Sequence, residues 1–187
     1  MMKKMLKQNK GFSLIELLVA ILIMAVIAGT AIMLFGGVLS SSRESADEET
    51  AENIKRAILT YINMTNDVNL SCLGVTDSES GSEKSENIIQ KLSCTIKIGD
   101  SDNDGKVTFT VPKNVDIDQP DAIEKTKIEA SDIKGTVGPF LDASKEMTPK
   151  TPGKKGWQIV IDQNAQVVTV EAADNEDYCK VFFDTAP

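Results

Sequence analysis

From Leu17 through Ser42 the chain carries no charged residue, and this run limits what the chain can become more than any other feature. As a helix, Leu17 to Leu39 reaches about 34 Å, enough to cross a hydrocarbon core of about 30 Å. Leu, Ile, Val, Ala and Met dominate the run. Its flanks differ in sign: Lys3, Lys4, Lys7 and Lys10 precede it, whereas Arg43 is followed by Glu44, Asp47, Glu48 and Glu49. Lysines are retained in the cytoplasm, so this asymmetry predicts a single-pass protein with its C-terminal part outside.

Two ordinary explanations compete for this region. A cleaved secretory signal has an apolar core of about 7 to 15 residues. The run here is longer, although Gly29-Thr30-Ala31 offers the small residues of a cleavage site. A plain signal anchor accounts for the lysines and the span but gives no reason for Glu16 at the head of the helix. A carboxylate there costs up to roughly 3 kcal/mol at a helix centre and less near the membrane edge.

A lysine-rich leader, then Gly11, then Phe12, then Glu16 four residues further on at the start of an apolar helix resembles the class III signal of type IV pilins and pseudopilins. The resemblance covers roughly the first 45 residues. It implies that a prepilin peptidase cuts on the cytoplasmic side between Gly11 and Phe12, and that the new Phe12 amine is methylated. It also implies a long helix carrying an extracytoplasmic head, delivered through an inner-membrane assembly platform into a homopolymer. The physical role of Glu16 then becomes coherent. When helices leave the bilayer and pack together, an ionised carboxylate in apolar surroundings must find a partner or become neutral. The expected partner is the Phe12 amine of a neighbouring subunit. Desolvation cancels much of the Coulomb gain of such a pair, so it sets register, while apolar burial supplies the bulk of assembly.

At 187 residues the chain supports one modest domain beyond the span. Its formal charge is -8, and loss of the four leader lysines takes this from -8 to -12. An acidic surface disfavours nonspecific nucleic-acid binding and suits an extracytoplasmic location, so no nucleic-acid partner is expected. The expected organisation is a leader over 1–11, a membrane or filament-core helix over 12–39, and a head over 40–187. Within the head the helix continues to about residue 65, a loop covers 73–90 and a β-sheet covers 93–184.

The helical continuation rests on period. Ala51, Ile54, Ala57, Ile58, Tyr61 and Ile62 recur at helical spacing and form one apolar stripe, with Glu48, Glu49, Glu52, Lys55 and Arg56 around it. Such a stripe needs a sheet to cover it. A helix from Phe12 to about Thr65 would be about 80 Å long. Gly29 and Gly36-Gly37 each weaken it by about 1 kcal/mol relative to alanine. They suit either close packing through small residues or a segment that melts in the filament. The chain lacks the proline that many pilins carry in this part of the span.

The run from Gly74 to Glu86 is polar, small and acidic, which predicts an exposed loop, with Ile88, Ile89 and Leu92 as an amphipathic turn that docks it. Ser93 to Ile98 and Val107 to Val111 alternate with period two around Gly99 to Gly105 and read as a hairpin. Trp157 to Ile161, Val167 to Glu171 and Tyr178 to Phe183 read as an antiparallel meander turned at Asp162-Gln163-Asn164 and Asp174-Asn175-Glu176. Asp121 to Lys134 reads as a short helix, and Gly135 to Gly156 as irregular. The fold class expected is α+β: a long N-terminal helix, transmembrane then amphipathic, packed on an antiparallel sheet in a pilin-like arrangement.

No cofactor is required by any motif. Asp100, Asp102 and Asp104 before Gly105 match the first half of a calcium loop, but the twelfth position is Val111 rather than a bidentate glutamate. A solvated hairpin turn accounts for the same residues, so Ca2+ is a candidate ligand only. Cys72, Cys94 and Cys179 are odd in number: outside the membrane one pair can be oxidised, and the sequence does not choose it. The alternative is that all three are small buried side chains. Lys150, Lys154 and Lys155 form the basic cluster outside the leader and read either as a solvated loop or as a contact for phosphates or a neighbouring subunit. Trp157 beside them reads as core packing or as a carbohydrate platform.

With no histidine, no phosphate-cradling glycine loop and no nucleophile elbow, the sequence gives catalysis no support. Three functions are expected in order. The first is a structural subunit of a type IV pilus-like surface filament. The second is a pseudopilin of a secretion or DNA-uptake machine. The third, from another class, is a membrane-anchored extracellular binding module.

Overall fold

The computed structural model describes residues 12–75, 84–99, 106–113, 118–121, 123–124, 135–145, 147–162, 167–174 and 178–182. The chain divides into two compact units, Met1–Ser42 and Arg43–Pro187. Helix α1, Leu14–Thr65, belongs to both. Within the first unit every large apolar side chain from Phe12 to Leu39 is exposed. The helix runs unbroken through Gly29, Gly36 and Gly37, each of which faces open space. Such a surface is long and apolar enough to cross a membrane.

The second unit is built on the C-terminal turns of α1. Ile54, Ala57, Ile58 and Tyr61 are buried in its core, with Ala51, Leu59 and Ile62 packed at the margin, which is the stripe that the sequence spacing predicts. The helix ends where Asn66 takes a left-handed conformation (φ 55°) and donates its N–H to the Ile62 carbonyl at 2.7 Å, a common way to satisfy the last carbonyls. A 3-10 turn, Ser71–Leu73, follows. Helix α2, Ser85–Leu92, then starts inside the stretch expected to be loop and buries Ile88, Ile89 and Leu92.

Seven strands follow among the described residues: β1 Thr95–Ile98, β2 Lys106–Thr110, β3 Ile123–Glu124, β4 Gly135–Val137, β5 Gly156–Asp162, β6 Val167–Ala173 and β7 Tyr178–Phe182. They form one four-stranded sheet in the order β3-β2-β1-β4 and one three-stranded sheet in the order β6-β5-β7. The arrangement is α+β and pilin-like: a long N-terminal apolar helix packed against largely antiparallel sheets, the three-stranded one mixed. The β1–β2 hairpin is antiparallel with Ile96 opposite Phe109, as expected.

Three local expectations need correction. Ile123–Glu124 is a strand paired with Lys106 and Val107 of β2 rather than the start of a helix, because it satisfies backbone groups that the β2 edge would otherwise leave open. Gly135–Val137 is a strand beside β1 within a segment expected to be irregular. The C-terminal strands are not a simple meander: β7 lies parallel to β5, with Ile159 opposite Cys179, while β6 lies antiparallel on the other side. This order gives β5 a partner on both edges. Trp157, Ile159 and Ile161 of that strand are all buried, so the apolar strand takes the centre.

The chain after β4 returns to α2 through Gly138, whose φ of +79° and 2.9 Å approach of a built Cβ to the Cys94 carbonyl admit only glycine. Phe140 and Leu141 then donate their N–H groups to the Leu92 carbonyl, and the Phe140 ring meets Tyr61 edge-on at 5.7 Å.

Candidate functional site

The N-terminal site is built by the first turn of α1. The Ser13 carbonyl accepts the N–H of Glu16 at 3.0 Å and that of Leu17 at 3.2 Å, so Ser13 is the flanking residue from which the helix starts at Leu14. Ser13 and Glu16 stand three apart at this start, the spacing of a capping box, a signal that attention to the span alone overlooks. A carboxylate in a first turn also complements the helix dipole. Phe12, 84% exposed, and Glu16, also exposed, are thereby held within one turn of each other at the head of the apolar surface. Gly11 lies outside the described residues.

The head holds two buried carboxylates that the sequence reading does not single out. Asp67 accepts the Tyr61 hydroxyl at 2.6 Å, the Ser71 N–H at 3.0 Å, the Ser71 hydroxyl at 2.9 Å and the Cys72 N–H at 2.8 Å. Burial, then the nearby Asp67 charge, pushes the Tyr61 hydroxyl well above its usual range. Asp47 lies on α1 with 5% of its surface exposed and accepts the N–H groups of Lys150 and Thr151 at 2.7 and 2.8 Å. Burial alone would raise its carboxyl, but the hydrogen bonds from Thr151 and Lys150 outweigh it and hold the group below the usual carboxylate range. The signal for both was faint: an aspartate amid a glutamate-rich helix, and one just past a helix end.

Of the remaining candidates, Cys72 and Cys94 are buried free thiols. Burial, with the Asp67 charge second, pushes Cys72 up to about 12, and burial raises Cys94. The reading as small buried side chains describes both; the Cys179 side chain lies outside the described residues. Asp100, Asp102 and Asp104 also lie outside them, and among the described residues no group of three or more His, Cys, Asp or Glu is placed to hold a metal. Trp157 is 2% exposed and donates its indole N–H to the Met147 carbonyl, which is core packing rather than a platform. In the basic cluster, the Lys154 ammonium meets Asp174 at 2.6 Å, whereas Lys150 and Lys155 are exposed. Lys155 also lines a groove of about 630 Å³ with Lys84, Lys145, Ile89, Met147 and Trp157 among its walls.

A model of the prokaryotic N-terminal methylation motif matches residues 6–32. The chain carries the class III signal of type IV pilins and pseudopilins. The match takes in Ser13, Glu16 and the first half of the apolar surface, so the signal and the exposed helix overlap. No curated protein and no solved structure shows significant similarity to the chain.

Proposed function

We propose that this chain is a structural subunit of a type IV pilus-like surface filament, made as a prepilin, cut between Gly11 and Phe12, methylated on the Phe12 amine and polymerised through α1. The observation that carries the reading is the methylation motif over residues 6–32, which takes in the start of a helix, together with the exposure of every large apolar side chain from Phe12 to Leu39. Burying one such side chain is worth about 1.5–3 kcal/mol, so the whole surface demands lipid before assembly and sister helices after it. Glu16 stands at the one end of this surface where a neighbour's freed amine can meet it. Prepilin peptidase, its methylating activity and the assembly platform act on the chain; its own role is structural.

The test is the intact mass of the protein recovered from membranes and from sheared surface material. Loss of Met1 to Gly11 with gain of one methyl group is expected in both fractions. A mass that retains the leader in both would overturn the reading and favour a plain anchored module. Processed protein confined to the membrane fraction would instead assign it to a pseudopilus.

A further inference from the structure

We propose that the groove beside Trp157 is the head-to-head contact of the polymer, and that it receives the acidic stretch Glu44 to Glu49 of a second copy of this chain. The inference rests on the filament reading above. An open filament needs a heterologous contact, two different patches that complement each other, since a self-complementary patch closes a dimer and stops. The head displays such a pair.

One patch is the groove wall formed by the segment before and at the start of β5. Residues 143–157 carry four lysines against one glutamate in a chain of net charge -8. Lys145 and Lys155 are exposed on this wall, and no ion pair engages either ammonium among the described residues. Lys84, Glu86 and Asp118 also line the groove, and Glu86 is already engaged within the chain. Half-buried Met147 lines the groove as well, with the largely buried Ile89 and Trp157 beside it.

The other patch is the α1 turn where the charged residues begin. Glu44, Glu48 and Glu49 are exposed and without ion pairs among the described residues, whereas Glu52 is spent on Lys55 and Arg56. Asp47 is turned inward, and its hydrogen bonds to Lys150 and Thr151 hold the lysine-bearing segment in place. Among the described residues each chain thus offers exposed carboxylates and exposed ammonium groups outside any ion pair, with the charge of Asp142 acting near Lys145. Charged groups around a partly apolar groove give such a contact direction and register rather than bulk affinity.

The test is zero-length carbodiimide coupling on intact filaments assembled from a mixture of isotopically light and heavy subunits. Light-to-heavy crosslinked peptides joining Lys145 or Lys155 to Glu44, Glu48 or Glu49 are expected. Filaments in which those lysines couple only within one label, or not at all, overturn the contact while leaving the filament reading intact. Failure of the wild-type chain to form filaments overturns both. A second arm reads assembly: Lys145→Glu with Lys155→Glu lowers filament yield about tenfold, and adding Glu48→Lys with Glu49→Lys restores it. Yield unchanged by the lysine reversals, or unrestored by the compensating pair, also sinks the contact.

Discussion

A carboxylate taken out of water must be surrounded by donors, and Asp67 has four within 3.0 Å. Two come from backbone N–H groups of the turn after α1, so this side chain ties the helix end to the segment leading into α2. Replacing it by alanine strands those donors in a buried site, each at about 1–3 kcal/mol before relaxation. Asp67→Ala is therefore expected to cost about 3 kcal/mol of head stability, and Tyr61→Phe, which removes one donor and keeps the ring, about 1 kcal/mol. Chemical denaturation followed by the fluorescence of Trp157, the single tryptophan, measures both. A smaller loss for Asp67→Ala than for Tyr61→Phe contradicts this account.

Asp47 makes a different prediction because its ionisation matters. Its carboxyl is held below the usual range in the folded head, so the unfolded chain binds the proton more readily. The resulting stabilisation is complete above the unfolded value of about 3.9 and disappears as pH falls through the lower folded value. Asp47→Ala is expected to cost about 2 kcal/mol at pH 7 and progressively less below about pH 4. The wild-type and variant denaturation midpoints should converge in acid. A gap that stays constant down to pH 2 assigns the loss to packing instead.

Among the elements, α1 has two populations of apolar side chain that respond oppositely to truncation. Ile58 is fully buried, and Ile58→Ala is expected to destabilise the head by about 2–5 kcal/mol. Ile27 is 61% exposed, and Ile27→Ala should leave the denaturation of the detergent-solubilised head within about 0.5 kcal/mol of wild type. The division of labour was legible in the sequence because burial on one face leaves a helical period and burial on all faces leaves none. The same logic explains what was not legible. The β1–β2 hairpin announces itself by alternation, whereas β3 and β4, at two and three residues, are too short to carry a period. They form because the edges of β2 and β1 need partners. The parallel seat of β7 depends on which neighbour β5 requires, a property of the finished sheet rather than of the β7 residues. Phe12 and Glu16 stand out because they fall within a recognisable motif, whereas Asp47 does not, since its N–H donors lie more than a hundred residues away, and Asp67 does not, since its donors, though near in sequence, converge only once the turn after α1 has formed.

At the scale of the molecule, the chain joins a head whose buried Asp47 and Asp67 are hydrogen-bonded to a helical surface whose large apolar side chains are exposed. In the filament proposed above, that surface passes from lipid to sister helices, and Glu16 is given the part of ordering the transfer. In lipid, a carboxylate at the head of the helix stays within reach of the membrane–water interface, where its charge costs little. Between sister helices, in the filament proposed above, that water is gone and the charge needs a cation at a defined height, the part assigned in that proposal to a neighbour's Phe12 amine. Apolar packing alone is tolerant of sliding, because one leucine-rich face fits another at several offsets. The proposed ion pair would remove all offsets but the one that brings acid and amine together, with a small net contribution to affinity. Glu16→Ala is thus expected to insert, to be processed and to keep a head with wild-type denaturation, yet to yield filaments reduced by at least about tenfold. Glu16→Gln, which keeps the shape and loses the charge, should behave like Glu16→Ala, and Glu16→Asp should fall between it and wild type. Quantifying sheared filaments against membrane-retained subunit separates these outcomes: if Glu16→Gln assembles as wild type does, shape rather than charge sets the register, and the acid–amine pair has no part in assembly.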